Sequence, residues 1–536
     1  MASVAAEAHG EIEPRKIRQV IAASSAGTVF EWYDFFIYGT LATSGIIGAT
    51  FFPAGNETLQ TLLAWAGFAV GFGFRPLGAI LFGYMGDRLG RKYTFLITIT
   101  LMGVATAGVG LVPSAAAIGI VAPILIILLR VCQGLALGGE YGGAAIYVAE
   151  HSPRGKSGYF TSYIQASVAG GFVLSLAVVL LTRGAMSEET WLAWGWRVPF
   201  LLSILLLAIS LWMRFKLNES PVFQKMKEEG ETSGNPFKES FRYPGNLKRL
   251  FVALFGIAAG LTVIWYTAMF STLSFLQGPL RVEDRTAQLI VGGGALAGLF
   301  WFVLFGKISD RVGRKRPIVI GYALTLVLLF PLFKLIGAAA NPELAEAAER
   351  APVVVAGEAC DYNPFAETQV TECGRVLDLL SSRGLPYETA EAEPGAGTVV
   401  RVGDVPVAGI DEAAIEAALS AEGYDLGRTT PSPGNIALIL FGIVALGALA
   451  GATYGPVAAL LSEMFPPRIR YSSMSIPYHF GTGYFGGFLP FIASYIIART
   501  GDPYAGLWYT WGVVLMALIV TVWGLKETRE GHAAVT

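Results

Sequence analysis

Twelve long apolar stretches constrain this chain of 536 residues more than any other feature. A helix needs about 20 apolar residues to cross a bilayer. Stretches of that length fall near 20–46, 61–85, 94–112, 118–149, 159–182, 196–215, 251–275, 288–308, 318–337, 436–461, 474–497 and 505–524. Hydrophobic residues make up 54% of the chain and charged residues only 15%, which is not the balance of a soluble protein of this size. We therefore predict an all-α membrane protein with twelve transmembrane helices.

The composition excludes several other classes of protein. Long apolar runs are not the short alternating strands of a β-barrel, and a net charge of −2 disfavours nucleic-acid binding. Three cysteines and four scattered histidines provide neither a disulfide scaffold nor a zinc motif. The sequence has no loop of the form Gly-x-x-x-x-Gly-Lys-Ser/Thr, which argues against an ATP-driven pump. We expect neither an enzyme nor a cofactor.

Basic residues in the short loops predict the orientation of the helices. If the loops alternate between two sides, one side holds only Arg183, Arg281, Arg285 and Arg499. The other side holds Arg88, Arg91, Lys92, Arg154, Lys156, Lys225, Lys227, Arg311, Arg314, Lys315, Arg316, Arg468 and Arg470. Cytoplasmic loops carry the excess of Lys and Arg, so the tails 1–19 and 526–536 are both expected in the cytoplasm. The long first apolar run indicates that no signal peptide is removed.

A repeated motif divides the chain into two halves. The run Gly-Tyr-Met-Gly-Asp-Arg-Leu-Gly-Arg-Lys at 83–92 returns as Gly-Lys-Ile-Ser-Asp-Arg-Val-Gly-Arg-Lys at 306–315. A second pair, Glu150-His-Ser-Pro-Arg154 and Glu463-Met-Phe-Pro-Pro-Arg468, follows in the same order. We predict two six-helix halves, 20–215 and then 251–338 with 435–525, joined by a cytoplasmic linker at 216–250. Parallel halves of this kind place a substrate site at their interface, near the middle of the bilayer.

The repeat also reveals an acidic insertion in the second half. Asp87 and Glu150 are 63 positions apart, whereas Asp310 and Glu463 are 153 apart, so about 90 residues are extra. We assign them to 339–434, because residues 341–430 hold 17 Asp and Glu against 5 Arg. The insertion follows an outward-running helix and is expected in the periplasm. Apolar runs at 352–355 and 398–402 predict strands, and runs at 376–380 and 413–419 predict helices, so a small α/β fold is expected.

Charged residues in the apolar stretches are the candidates for transport chemistry, because charges at bilayer depth usually mark substrate or ion paths. Glu31 and Asp34 lie roughly 20 to 24 Å along the first helix, and Arg75 lies at a similar depth on the second. Two carboxylates held that close cannot both ionise easily, so one is expected to take and release the coupling proton. The alternative is a static ion pair with Arg75. The second half has uncharged Ile264 and Thr267 at the corresponding positions, which favours coupling.

Further candidates surround the expected substrate site. Arg130, with Gly134 and Gly138 on the same face, is expected either to bind a substrate carboxylate or to pair with an acidic neighbour. His479 and its counterpart Gln165 offer hydrogen bonds at one depth. Two tyrosines, Tyr38 and Tyr266, complete the candidate substrate-binding set. The glycine stripe at 447, 451 and 455 is attributed to helix packing.

The charged loop motifs predict a cytoplasmic gate whose salt bridges form when the inner side is shut. Its candidate residues are Asp87, Arg91, Glu140, Glu150, Arg154, Glu219, Asp310, Arg314, Glu463 and Arg468. The alternative is that these basic loops serve only to orient the helices. On the opposite side, Cys360 and Cys373 are the only cysteines of the insertion, and an oxidising compartment would join them in a disulfide.

The Gly-x-x-x-Asp-Arg-x-Gly-Arg-Lys loops resemble the signature of the major facilitator superfamily. Several first-half motifs resemble its metabolite:proton symporter family: Glu31-Trp-Tyr-Asp34-Phe, Phe74-Arg75-Pro-Leu-Gly78, Arg130-Val-Cys-Gln133-Gly134, Trp194-Gly-Trp-Arg197-Val-Pro and Glu219-Ser-Pro-Val-Phe223. That family includes permeases for organic acids such as α-ketoglutarate, citrate and shikimate, and for zwitterionic osmolytes such as proline and betaine. The resemblance implies the major facilitator fold and proton symport across a bacterial inner membrane. The acidic insertion departs from the shortest members.

The sequence therefore predicts a monomeric symporter that takes up a small organic acid with protons by alternating access, and the lipid bilayer and the substrate are its expected partners. Three alternatives stay open. One is uptake of a zwitterionic osmolyte. A second is a sensor that binds its ligand in the insertion. A third is an enzyme in the insertion, although that segment has no His and no recognisable nucleophile and base.

Overall fold

The computed structural model describes residues 14–52, 55–89, 91–139, 145–146, 148–149, 152–215, 236–358, 360–392, 397–466 and 469–528. Four of the predicted gate residues, Glu140, Glu150, Glu219 and Arg468, lie outside the described residues, as do the ends of both predicted tails. The side chains of Asp87 and Arg91 also lie outside the description.

The bundle is built of helices. In the described part of the chain, ten helical spans are long and apolar enough to cross a membrane. The helices of every length are as follows. In the first half they are α1 (Pro14–Ala42), α2 (Ile46–Phe51), α3 (Glu57–Gly73), α4 (Arg75–Leu89), α5 (Arg91–Leu111), α6 (Ala115–Ile118), α7 (Val121–Gly138), α8 (Ser157–Gly184), α9 (Glu188–Ala193) and α10 (Val198–Phe215). After them come α11 (Pro236–Arg242), α12 (Asn246–Gln277), α13 (Asp284–Val312), α14 (Lys315–Ala340), then α15 (Pro342–Arg350), α16 (Glu372–Ser382) and α17 (Glu412–Ala421) of the insertion, and finally α18 (Pro433–Met464), α19 (Arg470–Thr500) and α20 (Leu507–Gly524).

Three helices that line the centre of the bundle are irregular there. Pro76 follows Arg75 directly and has no N–H to continue the helix, so α3 ends at Gly73 and α4 begins at Arg75. In α19, Pro477 precedes a π-helical turn at Gly481–Gly487. Helix α12 has π-helical turns at Val252–Ala258 and at Thr267–Ser271. Such turns often occur at functional sites.

Glycines let the helices approach closely at the predicted positions. A Cβ atom on Gly134 would lie 1.9 Å from the carbonyl oxygen of Gly71, and one on Gly138 would lie 2.1 Å from that of Arg75. In the second half a Cβ atom on Gly455 would lie 2.5 Å from the carbonyl oxygen of Phe302. The packing role that the sequence predicted for both glycine faces is confirmed.

The insertion folds as a small α/β module around its own core. Its described residues form a mixed four-stranded sheet in the order β2-β1-β3-β4, from β1 (Val353–Gly357), β2 (Glu388–Glu391), β3 (Val399–Val402) and β4 (Val405–Ala408). β1 pairs with β2 in parallel and with β3 antiparallel, so that Val355 lies opposite Val400. Two strands and two helices fall on the predicted runs. The sequence did not indicate β2, because all four of its residues are exposed and only pairing with β1 makes it a strand.

The module docks on one end of the bundle, which we call the module end. In the second half, Arg281 donates to the carbonyl oxygens of Leu426 and Arg383, and the Tyr387 hydroxyl donates to that of Ala498. In the first half, the side-chain amide of Asn56 donates to the carbonyl oxygen of Ala366 at 3.0 Å. The module therefore contacts both halves. We call the opposite end, which carries Asp310 and Arg314, the basic end.

Candidate functional site

Aromatic side chains from both halves meet in the middle of the bundle. The ring of Phe36 stacks on Trp265 at 5.2 Å, and Phe72 meets Tyr266 edge to face at 5.5 Å. We call this set the aromatic layer, and its members are Phe36, Phe68, Phe72, Trp265, Tyr266 and Phe270. The layer joins α1 and α3 of the first half to α12 of the second, as expected for an interface between two repeats.

Arg75 lies beside this layer and is fully buried. Its guanidinium stands over the rings of Trp32 and Phe72, at 5.1 and 5.2 Å from their centroids. The charge of Arg75 also acts on Tyr266 and His479 of the second half. A first-half cation therefore faces the second half, at the place where the sequence predicted a substrate site.

The second half presents polar groups to Arg75. Fully buried His479 lies on α19, and the neighbouring Tyr478 hydroxyl is 2.6 Å from that of Tyr454. Among the described residues, the two ring nitrogens of His479 have no hydrogen-bond partner, and the Tyr266 hydroxyl has none either. Buried polar atoms are normally hydrogen-bonded, so these groups are suited to bind a polar ligand.

Gln165 also lies close to the second half. It is fully buried on α8, one turn after Ser162, whose side chain packs against Gly306 of α13. The set around the interface therefore includes Arg75, Gln165, Tyr266 and His479, and the structure adds Tyr454 and Tyr478. Sequence reasoning missed these two tyrosines, although they adjoin the glycine stripe and His479.

Arg130 and Tyr38 have their hydrogen bonds inside the first half, and Arg130 also lies near the aromatic layer, at 5.4 Å from the centroid of the Phe68 ring. The Arg130 guanidinium donates to the side-chain oxygen of Gln133 at 2.7 Å and to the carbonyl oxygen of Gly67 at 3.3 Å. It also lies over the Tyr38 ring at 4.5 Å from its centroid, and the Tyr38 hydroxyl donates to the carbonyl oxygen of Ala64. Among the described residues, Arg130 does not form the predicted pair with an acidic neighbour. Its predicted contact with a substrate carboxylate stays a prediction. Its contacts are with an amide, backbone carbonyls and aromatic rings.

Glu31 and Asp34 are buried on α1, with 5% and 6% of their surfaces exposed. The Asp34 carboxyl lies by Ser203 of α10 and within electrostatic reach of Glu31. Its backbone carbonyl accepts from the side-chain amide of Gln133 at 3.4 Å. Phe36, two residues after Asp34 on α1, lies on the opposite face of the helix and stacks on Trp265. Asp34 of the predicted proton site therefore lies toward the first-half interior, while Phe36 on the same helix belongs to the aromatic layer.

Hydrogen bonds from a salt-bridged cluster of the second half tie the two halves together at the basic end. Arg314 contacts Asp310 at 2.7 Å and Glu463 at 2.9 Å, and it donates to the Ser157 hydroxyl at 2.8 Å. The Asp310 carboxylate also accepts the backbone N–H groups of Gly158 and Tyr159, each at 2.8 Å. Ser157 begins α8, so a second-half carboxylate caps a first-half helix. We call this set the latch.

Arg154 lies outside the latch. It is exposed in the loop before α8, and it forms no ion pair with the residues that the structure describes. Of the predicted gate residues that can be placed, the structure thus brings together Asp310, Arg314 and Glu463.

A cavity of about 740 Å³, which we call the vestibule, occupies the module end. Trp65, Thr267 and Phe270 line it on the bundle side, and Arg383 and Arg428 line it on the module side. Phe270 belongs to the aromatic layer, so the vestibule extends inward as far as that layer. The bundle is therefore hollow at the module end and latched at the basic end.

Comparisons with known proteins identify the family and the fold. The family model of the Major Facilitator Superfamily matches residues 24–345. A proline/betaine transporter of Salmonella typhimurium is 37% identical over 331 residues, which is 61% of this chain and 66%, just under two thirds, of that protein. A shikimate transporter of Escherichia coli is 37% identical over 60% of this chain and 74% of its own length. The inner membrane metabolite transport protein YhjE of Escherichia coli is 30% identical over 96% of this chain and 94% of its length.

Solved structures extend the likeness in fold to nearly the whole chain. The proton:xylose symporter XylE bound to 6-bromo-6-deoxy-D-glucose superposes with a TM-score of 0.63 and 16% identity, over 97% of this chain and 98% of that one. At that identity the likeness concerns the fold alone. The relatives and structural neighbours are transport proteins and not enzymes. The family match covers more than half of the chain, and it includes the first charged repeat motif, Gly83–Lys92, and the second, Gly306–Lys315. The chain belongs to the major facilitator superfamily.

Proposed function

We propose that this chain is a proton-coupled symporter that takes up a small carboxylated metabolite across a bacterial inner membrane. The observation that carries the proposal is the position of Arg75, which is fully buried over the Phe72 ring of the aromatic layer and within electrostatic reach of His479 and Tyr266 of the second half. The vestibule lies on one side of this site and the latch on the other. Alternating access requires such an arrangement, with one side tied shut while the other is open.

Arg75 is the proposed partner of the substrate carboxylate. A guanidinium binds a carboxylate through two parallel hydrogen bonds, and these are stronger in a site that excludes water. His479, Tyr266 and Gln165 would then contact the remaining polar groups of the substrate. An organic acid is the first candidate class, in line with the shikimate transporter among the relatives.

A zwitterionic osmolyte is the second candidate class. The aromatic layer offers ring faces to a substrate ammonium group, while Arg75 would hold the carboxylate. The relative named proline/betaine transporter supports this second class about as well as the shikimate transporter supports the first.

Glu31 and Asp34 are the proposed proton site, with Asp34 in contact with α10 and the same helix, α1, lining the substrate site. The latch residues are the proposed inner gate. No cofactor is required beyond the coupling proton, and the transporter is expected to work as a monomer.

The proposed topology has twelve crossings, with α1 and α5 added to the ten helices that meet both length and hydropathy criteria. Both termini lie in the cytoplasm and the module in the periplasm. Single cysteines at exposed Ala390 and exposed Arg311 test this orientation, because an impermeant thiol reagent should label only the first in intact cells. Gly313 is unsuitable, since its φ is 96° and a Cβ atom there would lie 2.3 Å from Glu527. Equal labelling at both positions would refute the topology.

Uptake into proteoliposomes with an imposed proton gradient tests the function. Radiolabelled shikimate and betaine represent the two substrate classes, and the gradient should drive accumulation of one of them. Arg75→Gln should then raise KM by about 10- to 100-fold, because a charge-assisted hydrogen bond contributes about 1.5–3 kcal/mol. Arg401→Gln, on an exposed module strand, is the matched control and should leave KM unchanged. Unchanged transport by folded Arg75→Gln would remove Arg75 from the substrate site.

A further inference from the structure

The vestibule is built jointly by the bundle and the insertion, unlike the central site. Helices α2, α3 and α12 form much of its wall, and the loop between α12 and α13 contributes Arg281. The module contributes residues 381–385 and Arg428. The insertion is therefore part of the mouth through which a substrate would reach the aromatic layer.

Three arginines gather at this mouth. Arg281, Arg383 and Arg428 all line the vestibule, and Glu57 is the only acidic residue among its described lining. The segment 341–430 holds 17 acidic residues and only 5 Arg, yet two of those five stand here. The acidic module therefore turns a basic edge toward the cavity.

Two of the three charges are not neutralised by a carboxylate contact. Arg383 pairs with Glu412 and Glu416. By contrast, Arg281 and Arg428 donate only to backbone carbonyl oxygens of the described residues. Burial lowers the pKa of Arg281 below its ordinary value, and the charges of Arg428 and Arg383 lower it further, while Asp425 and Glu57 oppose this shift only in part. An anion between these guanidinium groups would relieve their repulsion.

The backbone fixes Arg281 in this position. Among the described residues it is the only one other than glycine with a positive φ, at 56°. The Thr429 N–H donates to its carbonyl oxygen at 2.9 Å, and the Glu283 N–H donates to that of Thr429 at 2.9 Å. A non-glycine residue keeps such a conformation only where its surroundings enforce it, and here the chain leaving the insertion does so.

We propose that Arg281, Arg383 and Arg428 form a capture site for small carboxylate anions at the mouth of the vestibule. The anion is held by guanidinium groups from the bundle and from the insertion, before it passes the aromatic layer. The insertion thus contributes directly to substrate capture. The role of the site in substrate capture rests on the proposed function. The binding of an anion by the three arginines does not depend on it.

Thiol labelling measures the local charge without any need for transport. The structure joins Cys360 to Cys373 in the disulfide that the sequence predicted. Ser382 lines the vestibule, so a single cysteine there, with Cys132 changed to Ser and the disulfide left intact, reports on the mouth in purified protein. Its rates with an anionic and a cationic methanethiosulfonate reagent are compared at one ionic strength. The anionic reagent should react faster. Arg428→Gln should lower the ratio of the two rates about two- to fivefold, the effect of one partly screened charge at this range.

Matched variants separate the site from general charge. Arg401→Gln removes the same charge from an exposed module strand that does not line the vestibule, and it should leave the ratio unchanged. Arg428→Lys keeps the charge and should keep the ratio. Malonate should slow labelling of the parent protein more than an equal ionic strength of chloride does, and less so in Arg428→Gln.

The proposal is overturned if Arg428→Gln leaves the rate ratio at the parental value, or if malonate protects no better than chloride. Transport provides a separate readout. If the labelling results hold while no substrate accumulates in proteoliposomes, the capture site stands and the proposed function fails. If both hold, Arg428→Gln should raise KM and weaken its dependence on salt, with kcat unchanged.

Discussion

The latch at the basic end gives the sharpest test of how the two halves are held together. Asp310 belongs to the second half and accepts two backbone N–H groups of the first, from Gly158 and Tyr159. Its side chain is 7% exposed, so these bonds are largely shielded from water. Asp310→Asn keeps the size of the side chain and one acceptor oxygen but removes the charge. We expect it to favour separation of the halves at this end.

The expected magnitude follows from these contacts. Hydrogen bonds to charged groups contribute about 1.5–3 kcal/mol each, and neutral ones about half as much. Weakening two of them should therefore cost the latched state about 2–3 kcal/mol. Because 1.4 kcal/mol is a factor of ten, the open population should rise about 30- to 150-fold. Arg314 still donates to the Ser157 hydroxyl of the first half in the variant, which limits the effect to this range.

Hydrogen exchange followed by mass spectrometry measures this change in the purified protein. Amides at the start of α8 should exchange faster in Asp310→Asn, by up to the rise of about 30- to 150-fold in the open population. Exchange at the other end of α8, near Gly184, should stay unchanged. Glu527→Gln is the control, because Glu527 caps α14 through the Lys315 N–H and that contact lies within the second half. Parental exchange at Gly158 and Tyr159 in the Asp310 variant, or equal acceleration by the control, would refute the latch.

Three further predictions concern the proton site and the module. Asp34→Asn should abolish uphill accumulation driven by a proton gradient and leave downhill exchange intact, and normal accumulation by the variant would remove Asp34 from coupling. Replacing Cys360 and Cys373 by Ser should cost the module roughly 3 kcal/mol and speed hydrogen exchange between them; two alkyl adducts on the parent protein without reductant would show that the disulfide is absent. Burial raises the pKa of Asp378 in the module above its ordinary value. The folded module therefore binds this proton more tightly than the unfolded chain does, so its stability should fall as the pH rises through the raised pKa, and Asp378→Asn should remove that dependence in hydrogen exchange of β1.

The repeated motifs and the number of residues between them predicted the gate residues and the position of the insertion, because both depend only on order along the chain. The repeated charged loop identified Asp310 and Arg314, and the second pair of motifs identified Glu463, which the structure joins in one latch. The unequal spacing of the same motifs located the insertion. In each case the chain path alone brings the residues to the same end of the bundle, so no knowledge of side-chain packing was needed.

Side-chain direction was not predictable in the same way. Counting residues gives the depth of Arg130, but the rotation of its helix is set by glycines such as Gly71, where a Cβ atom would lie 2.9 Å from the guanidinium. The helix therefore turns Arg130 into the first half, where Gln133 binds it. Arg75 is oriented differently because α3 ends just before it, at Gly73, and a new helix begins at Arg75 itself. Long-range packing decides such directions, and the sequence pattern does not contain it.

The separation of the two sites on α1 bears on how a proton would be coupled to substrate. Successive residues of a helix are about 100° apart, so Asp34 and Phe36 point about 160° away from each other. Asp34 lies toward Ser203 of α10, and Phe36 stacks on Trp265 of the second half. Gly39 continues the second face, since a Cβ atom there would lie 2.7 Å from the Phe270 ring. If the charge on Asp34 changes the packing of α1 against α10, a rigid helix must move Phe36 and Gly39 against the aromatic layer at the same time. Under the proposed mechanism, α1 itself is therefore the link between proton and substrate.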